Sequence, residues 1–383
     1  MKVFFADLHI HIGRDQNGKS VKITGSKSLT LTNILKESSR VKGLELIGVI
    51  DCHVPAVQAE IDTLLARGHA RELLDGGIRF EQVTLLLGSE IEIYDDQCKG
   101  PIHVLCFLPT LKQMKVFTNW LSERMTNITL SSQRYYGTGK ELQYKVKELG
   151  GLFIPAHVFT PYKSLFGKGV TASVKEVFDP DLIDAIELGL SSDTSMADKI
   201  SELHRYSFLT NSDAHSLPKI AREYQKLMMQ DATFKELEWT LHHVNGRKIV
   251  ENYGMNPLLG KYYTTVCKKC EKSRQDCLCP TKSWIKGVAD RITELADGVQ
   301  APSDRPRYIH QVPLEYIPTL GPKTYQRLID HFKTEMNVIH RASEQEISGV
   351  SGEKIAKAIV AMRKGILPIA AGGGGKYGKV TDD

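Results

Sequence analysis

The sequence predicts an α/β fold: a barrel of repeated strand–helix units, then a small four-cysteine module, then a C-terminal helical region. Three observations predict it. Short apolar strands alternate with helical patterns through about the first 250 residues, and histidines and carboxylates recur where those strands end. Where the alternation stops, four cysteines crowd into a short polar stretch. So many strand–helix repeats in that length argue for a parallel sheet closed into a barrel, with its chemistry at the carboxyl ends of the strands.

The first strand is the apolar run Val3-Phe4-Phe5-Ala6, which ends in Asp7-Leu8-His9-Ile10-His11. Residues two apart on a strand share a face, so His9 and His11 can aim at one point. Two neutral imidazoles arranged that way suit a divalent metal better than a hydrophobic core. Residues 31–42 read as a helix leading into the strand 43–51 (GLELIGVID), which ends in Asp51-Cys52-His53. A helix over 57–74 precedes the strand 82–92 (QVTLLLGSEIE), which carries Gly88-Ser89-Glu90. Strands at 102–107, 151–156, 182–188 and 206–210 continue the series. His103 opens the first of these, His157 follows the second, and Asn211-Ser212-Asp213-Ala214-His215 follows the last. Each residue has a plainer reading, Asp213 as a helix N-cap and His157 as a satisfied core histidine. Together they put many imidazoles and at least two carboxylates on one face, an arrangement stable only around several cations.

In that order, H-x-H, D-x-H, G-x-E, a lone His, A-H and S-D-A-H resemble the polymerase-and-histidinol-phosphatase (PHP) superfamily over roughly residues 1–250. The resemblance implies a distorted (β/α)7 barrel with a trinuclear metal site that hydrolyses phosphoesters. It implies one metal on His9, His11, Glu90 and Asp213, and a second sharing Glu90 with His103 and His157. A third would take His53 and His215, and Asp213, Glu90 and His215 would be catalytic. The sequence departs from the family at that third site. The further ligand expected soon after H-x-H is missing from Gly13-Arg14-Asp15-Gln16-Asn17, unless Asp15 stands in. The expected complement is two or three divalent ions in the barrel: zinc, magnesium or manganese.

Next, Cys267-Lys268-Lys269-Cys270 and Cys277-Leu278-Cys279 form C-x2-C and C-x-C. Four thiolates at this spacing fit one structural zinc with no open position. The alternatives are disulfides or free thiols. Around the cysteines lie Lys261, Lys268, Lys269, Lys272, Arg274, Lys282 and Lys286, with Tyr262, Tyr263 and Trp284 interleaved. Such a surface can track a phosphate backbone and stack a base, or be an ordinary solvated face. Cys52, Cys98 and Cys106 are unpaired by spacing and read as buried small hydrophobes.

Residues 283–298 read as a helix and 301–306 (APSDRP) as a linker. Residues 316–324 (YIPTLGPKT) and 347–355 (ISGVSGEKI) each precede a helix and resemble the helix-hairpin-helix signature. A Gly-containing hairpin ahead of a helix N-terminus presents N–H groups to a phosphate, and Lys323 and Lys354 add charge. A plain pair of antiparallel helices is the alternative. Residues 372–378 (GGGGKYG) read as a flexible linker or an anion-gripping nest, with Lys376 at its centre. The expected units are 1–258, 259–285, 286–310 and 311–383.

At 383 residues with 41% hydrophobic and 25% charged, the chain has the composition of a folded protein, which argues against disorder. A net charge of +5 permits a nucleic-acid partner without demanding one. No apolar run approaches membrane-spanning length, and Met1-Lys2 leads straight into a strand, so neither anchor nor signal peptide is expected. Seven cysteines without a secretory signal point to a reducing compartment, and the cytoplasm is the expected location.

Barrel, zinc module, hairpin region and glycine-rich tail, in this order, resemble the endonuclease Q family of prokaryotic DNA repair enzymes over essentially the whole chain. The resemblance implies incision of the phosphodiester 5′ to uracil, hypoxanthine, xanthine or an abasic site. Metal-activated water would do the work and leave a 3′-hydroxyl and a 5′-phosphate. The implied partner is damaged DNA, with no membrane and with room for a replication clamp. Asn211, and Ser191 in the loop Leu190-Ser191-Ser192-Asp193, lie at strand ends where they could read a flipped base. An amide can pair its NH2 and its oxygen with the carbonyl and ring N–H that deamination creates. Two rivals use the same residues differently: a phosphatase on a small phosphomonoester, or a non-catalytic DNA-binding protein.

Overall fold

Nine residues of mostly apolar character make β1 (Lys2–Ile10) a central strand, with Ala6 and Leu8 to Ile10 fully buried. In the computed structural model, residues 1–260, 262–280, 283–370 and 379–380 are described. Lys376 and the rest of the glycine-rich tail, with Lys261 and Lys282, lie outside the described residues.

On one side β1 pairs in parallel with β2 (Leu46–Val49), which pairs in parallel with β3 (Val83–Ile93). Crossovers over α1 (Leu31–Lys36) and α2 (Pro55–Ala66) make those connections, as the alternating pattern requires. From there the sheet departs from the expected parallel order. β3 pairs antiparallel with β4 (Ile102–Leu108), and β4 antiparallel with β5 (Leu152–Pro155). Residues 94–101 are too few for a helical crossover, so β3 and β4 can only form a hairpin. Helices α3 (Leu111–Ser122) and α4 (Gly139–Glu148) follow β4. In α3, Thr110 caps the N-terminus, and Leu111, Met114, Phe117 and Leu121 form one buried stripe. Each such side chain contributes roughly 1.5–3 kcal/mol.

β6 (Ala185–Glu187) and β7 (Ser207–Leu209) form a separate parallel pair. They span the gap between β5 and β8: Asp184 N–H donates to the Phe153 carbonyl, and Thr210 Oγ1 donates to the Tyr224 carbonyl. On the far side of β1 lies an antiparallel hairpin absent from the expected elements, β8 (Tyr224–Met229) and β9 (Lys248–Gly254), with α5 (Phe234–Leu241) between. The result is a distorted α/β barrel whose strand ends converge on one rim.

The cysteine module is a two-residue ribbon, Val266–Cys267 against Trp284–Ile285. That ribbon takes the first residues of the expected 283–298 helix, so α6 spans only Val288–Leu295. Gly287 sets the boundary, since a Cβ there would meet the Thr264 backbone at 2.3 Å. The chain then returns as β10 (Arg307–His310), parallel to β9, so the expected helix-and-linker segment supplies a strand to the barrel sheet.

Four helices follow: α7 (Pro322–Phe332), α8 (Glu335–His340), α9 (Glu344–Ser351) and α10 (Glu353–Arg363). Gly352 alone separates α9 from α10, whereas only a 3-10 turn at Leu314–Tyr316 precedes α7. These helices sit on the barrel through the buried Lys42–Glu335 ion pair at 2.8 Å. No helix among the described residues is long and apolar enough to cross a membrane.

Candidate metal centre

Five strands and the turns that follow them supply the centre. His9 and His11 leave β1 on the same face, as period two dictates, with ring centroids 5.2 Å apart. Glu90 lies within β3, fully surrounded. Its Oε1 is 2.8 Å from His103 Nδ1, 3.4 Å from His157 Nε2 and 3.5 Å from His9 Nε2. Its Oε2 is 3.7 Å from His11 Nε2. Asp213 Oδ1 is 3.5 Å from His9 Nε2 and 3.4 Å from His11 Nε2. One carboxylate thus faces four imidazoles, the geometry of a ligand shared between two ions.

Among the described residues of the barrel, three groups of side chains have ligand atoms within 4.8 Å of one another: His9, His11 and Glu90; Glu90, His103 and His157; and His11, Asp213 and His215. Among the described residues, the buried Nε2 atoms of His9, His11 and His103 have no hydrogen-bond partner. Orphaned buried nitrogens converging on carboxylates are what a cation would satisfy, so the residues fit divalent metal. Electrostatics agree. Burial opposes charging His9, yet Glu187, Asp213 and Glu90 raise its pKa to about 10. Burial would raise the Glu90 and Asp213 pKa values, but the surrounding imidazoles, with Lys22 at Glu90, hold both carboxyls well below the usual range. The pocket demands positive charge.

The supporting residues went unrecognised in the sequence. Glu187, ending β6, receives His9 Nδ1 at 2.9 Å, the His157 N–H at 2.8 Å and the Asn211 amide at 2.7 Å. Its signal was present: a carboxylate inside an apolar strand must have buried partners. Asp7 accepts the N–H groups of Ser212 and Ala221, which fixes the loop carrying Asp213 against β1. Arg222 donates to the Ser212 carbonyl at 2.6 Å. His157 and Asp213 both have left-handed backbones, with φ of 30° and 45°. Such strain costs on the order of 1–3 kcal/mol per residue and persists where surrounding contacts enforce it.

Other expected residues fall elsewhere. In D-x-H it is Asp51, not His53, that reaches the centre, 3.3 Å from His11 Nδ1. Both His53 nitrogens are taken, Nδ1 by Ser89 Oγ at 2.6 Å and Nε2 by the Leu130 carbonyl at 3.3 Å, so it does not join His215. Asp15 spends Oδ1 on the N–H groups of Asn17 and Lys19. Asn211 lines the cavity, but its oxygen already accepts from Leu8 N–H and Gln225 Nε2. The amide therefore cannot offer the donor–acceptor pair expected of a base reader. Ser191 lines the same cavity, of about 570 Å³, with Lys219, Arg222 and Tyr262. Lys323 and Lys354 are exposed in the first turns of α7 and α10, remote in sequence from the barrel.

In the second module, Cys267, Cys270, Cys277 and Cys279 bring their sulfurs within 4.8 Å of one another. Hydrogen bonds from the Cys270 and Lys269 N–H groups lower the Cys267 pKa to about 6, which favours the thiolate a metal requires. The four fit a closed structural zinc site. Cys52 and Cys106 are buried, as expected, while Cys98 is half-buried.

Residues 322–366 match the family model described as the MJ0043 C-terminal domain. The protein YqxK of Bacillus subtilis (strain 168) is 55% identical over 385 residues, covering 99% of this chain and 100% of that protein. The crystal structure of the lesion-specific endonuclease PfuEndoQ from Pyrococcus furiosus superposes with a TM-score of 0.85 at 34% identity, over 99% of this chain and 95% of that one. Endonuclease Q in complex with a 27-mer duplex substrate bearing an abasic lesion at the active site gives 0.83 at 33% identity, over 99% and 96%. With that identity sustained across nearly the full length of both chains, the protein belongs to the endonuclease Q family.

Proposed function

We propose that the chain is a DNA repair endonuclease that incises the phosphodiester 5′ to a deaminated base or an abasic site. The observation that carries this is Glu90, shared between two metal-type groups on the floor of a cavity wide enough for an extruded nucleotide. The solved relative with an abasic duplex at its active site supports DNA as the substrate. Beside that cavity, a basic groove of about 440 Å³ runs between the barrel and the cysteine module, lined by Lys99, Lys168, Lys268, Trp284 and Lys286. Tyr162 lines both spaces. A strand entering the centre would continue over that ring into the groove, its phosphates met by ammonium groups. Lys323 and Lys354, at helix N-termini, would hold the duplex further out.

Divalent ions on His9, His11, Glu90 and Asp213, and on Glu90, His103 and His157, would acidify a water and polarise a phosphoryl oxygen. The chain's own part is positioning. Glu187 and Asp51 fix the rings of His9 and His11, Asp7 and Arg222 hold the Asp213 loop, and Ser191 can bond a base edge. The water oxygen joins phosphorus as the P–O3′ bond breaks. The departing oxygen gains a proton, which leaves a 3′-hydroxyl and a 5′-phosphate.

Duplexes carrying uracil, hypoxanthine or an abasic site, incubated with protein and Mn2+ beside a phosphomonoester, test the reading. Incision one bond 5′ to the lesion is expected, with end-labelling to identify the termini. Phosphomonoester turnover with intact duplexes would overturn it.

A further inference from the structure

The third group of ligands is incomplete. His11 belongs to both the first and the third group, but its Nδ1 faces Asp51 at 3.3 Å and Ser131 Oγ at 3.1 Å. Only Nε2 remains, and one lone pair serves one cation. With His11 committed beside His9 and Glu90, the third group is left with Asp213 and His215. A bound ion ordinarily takes three or more protein ligands. Of the two residues expected to complete it, His53 has both ring nitrogens occupied, and Asp15 lines a different cavity, its Oδ1 held by the N–H groups of Asn17 and Lys19.

Lining the same cavity as that group, beside Glu90, is an ammonium. The segment after H-x-H folds back on β1, with Lys22 N–H donating to the Ile12 carbonyl at 2.8 Å and Val21 N–H to the Gly13 carbonyl at 3.1 Å. It delivers Lys22 Nζ to Glu90 Oε2 at 3.2 Å and to Ser132 Oγ at 2.6 Å. Ser132 Oγ also bonds Glu90 Oε2, and the Ser131 N–H holds the Val21 carbonyl, so the ammonium is gripped from two segments. Its side chain is 17% exposed, and it lines the cavity with His11, Glu90, Asp213 and His215.

We propose that the Lys22 ammonium stands in for a third metal ion, so that the barrel holds two divalent cations and Lys22 supplies the remaining charge to the phosphate. This rests on the metal-centre reading and refines it. A fixed ammonium there opposes a third cation by repulsion, and it stabilises the negative charge that grows on the phosphoryl oxygens.

The test counts ions. After saturation with Zn2+ and dialysis, elemental analysis of the full-length protein should find three per chain, one of them lost in the Cys267→Ser/Cys270→Ser variant. Lys22→Met should keep three ions and lose about 100- to 1,000-fold in kcat for incision, with the KM for duplex little changed. Lys22→Glu should gain a fourth. Four ions in the unmodified protein, full incision by Lys22→Met or no gain in a folded Lys22→Glu would overturn the proposal. If Lys22→Glu does not fold, the first two measurements decide. Unchanged ion content in both His9→Ala and His103→Ala would instead remove the metal-centre reading itself.

Discussion

The imidazole of His340 lies against the ring of Phe5, with centroids 4.4 Å apart and planes inclined by 21°. A residue of the C-terminal helices is thus stacked on the strand that carries H-x-H. The Tyr224 hydroxyl donates to His340 Nε2 at 2.7 Å and accepts from the Gln311 amide, also at 2.7 Å. That arrangement needs a neutral ring.

Acid should therefore loosen this junction. Burial, helped by Lys226, lowers the His340 pKa from 6.5 to about 3. Between those values the unfolded chain binds a proton that the folded chain refuses. The contribution is complete above pH 6.5 and is lost as pH falls towards 3, about 2 kcal/mol of it by pH 5. Hydrogen-exchange protection factors across α8, corrected for intrinsic rates, should fall as pH is lowered through this range, and His340→Phe should flatten the response. An equal pH response in that variant would refute the assignment.

Asp213→Ala should cut incision at least about 1,000-fold, ~4 kcal/mol of barrier, while far-UV spectra and duplex affinity stay near normal. Glu90→Ala should be worse, because it removes a ligand from two ions at once. Single-turnover kinetics at saturating Mn2+ measure both. Near-normal turnover of the Asp213 variant would exclude it from the centre.

Replacing Cys267 and Cys270 with Ser should release one zinc and weaken duplex binding, with barrel metals retained. Because thiolates must be deprotonated to ligate, the zinc should also leave the unmodified protein as pH is lowered. Elemental analysis and fluorescence anisotropy read the two effects. Unchanged affinity after zinc loss would separate the module from DNA.

For Asn211→Ala, incision should fall at abasic sites as well as at uracil and hypoxanthine. The amide ties Leu8, Gln225 and Glu187 together, so its loss disturbs the His9 support whatever the lesion. A loss confined to base-bearing lesions, measured as kcat/KM on the three duplexes, would return Asn211 to base reading.

The first part of the barrel and most of the side chains that converge at its rim were legible because both follow short-range rules. Period two placed His9 with His11, and apolar runs marked β1 to β7. Cysteine spacing found the module. The β8–β9 hairpin was not legible: it lies beyond the last recognised barrel motif, and Gln225, Lys226, Lys248, Glu251 and Asn252 break up its apolar runs. Asp51 and His53 show a finer limit. Both sit in one turn, and only the hydrogen bonds of Ser89 and Leu130 decide which side chain enters the centre. Lys22 was invisible for a related reason. It stands in a polar loop, and no local pattern separates an inward lysine from a solvated one.

Glu187 accepts from three groups, and all three are donors: a ring N–H, a backbone N–H and an amide. Its contact with Nδ1 assigns the His9 proton there, which frees the Nε2 lone pair for metal. A glutamine of the same shape would turn an NH2 group toward one of these donors. At this position isosterism is therefore no protection: the amide would meet a donor or release His9 to its other tautomer. The charge of Glu187 matters less than its being an acceptor at both ends.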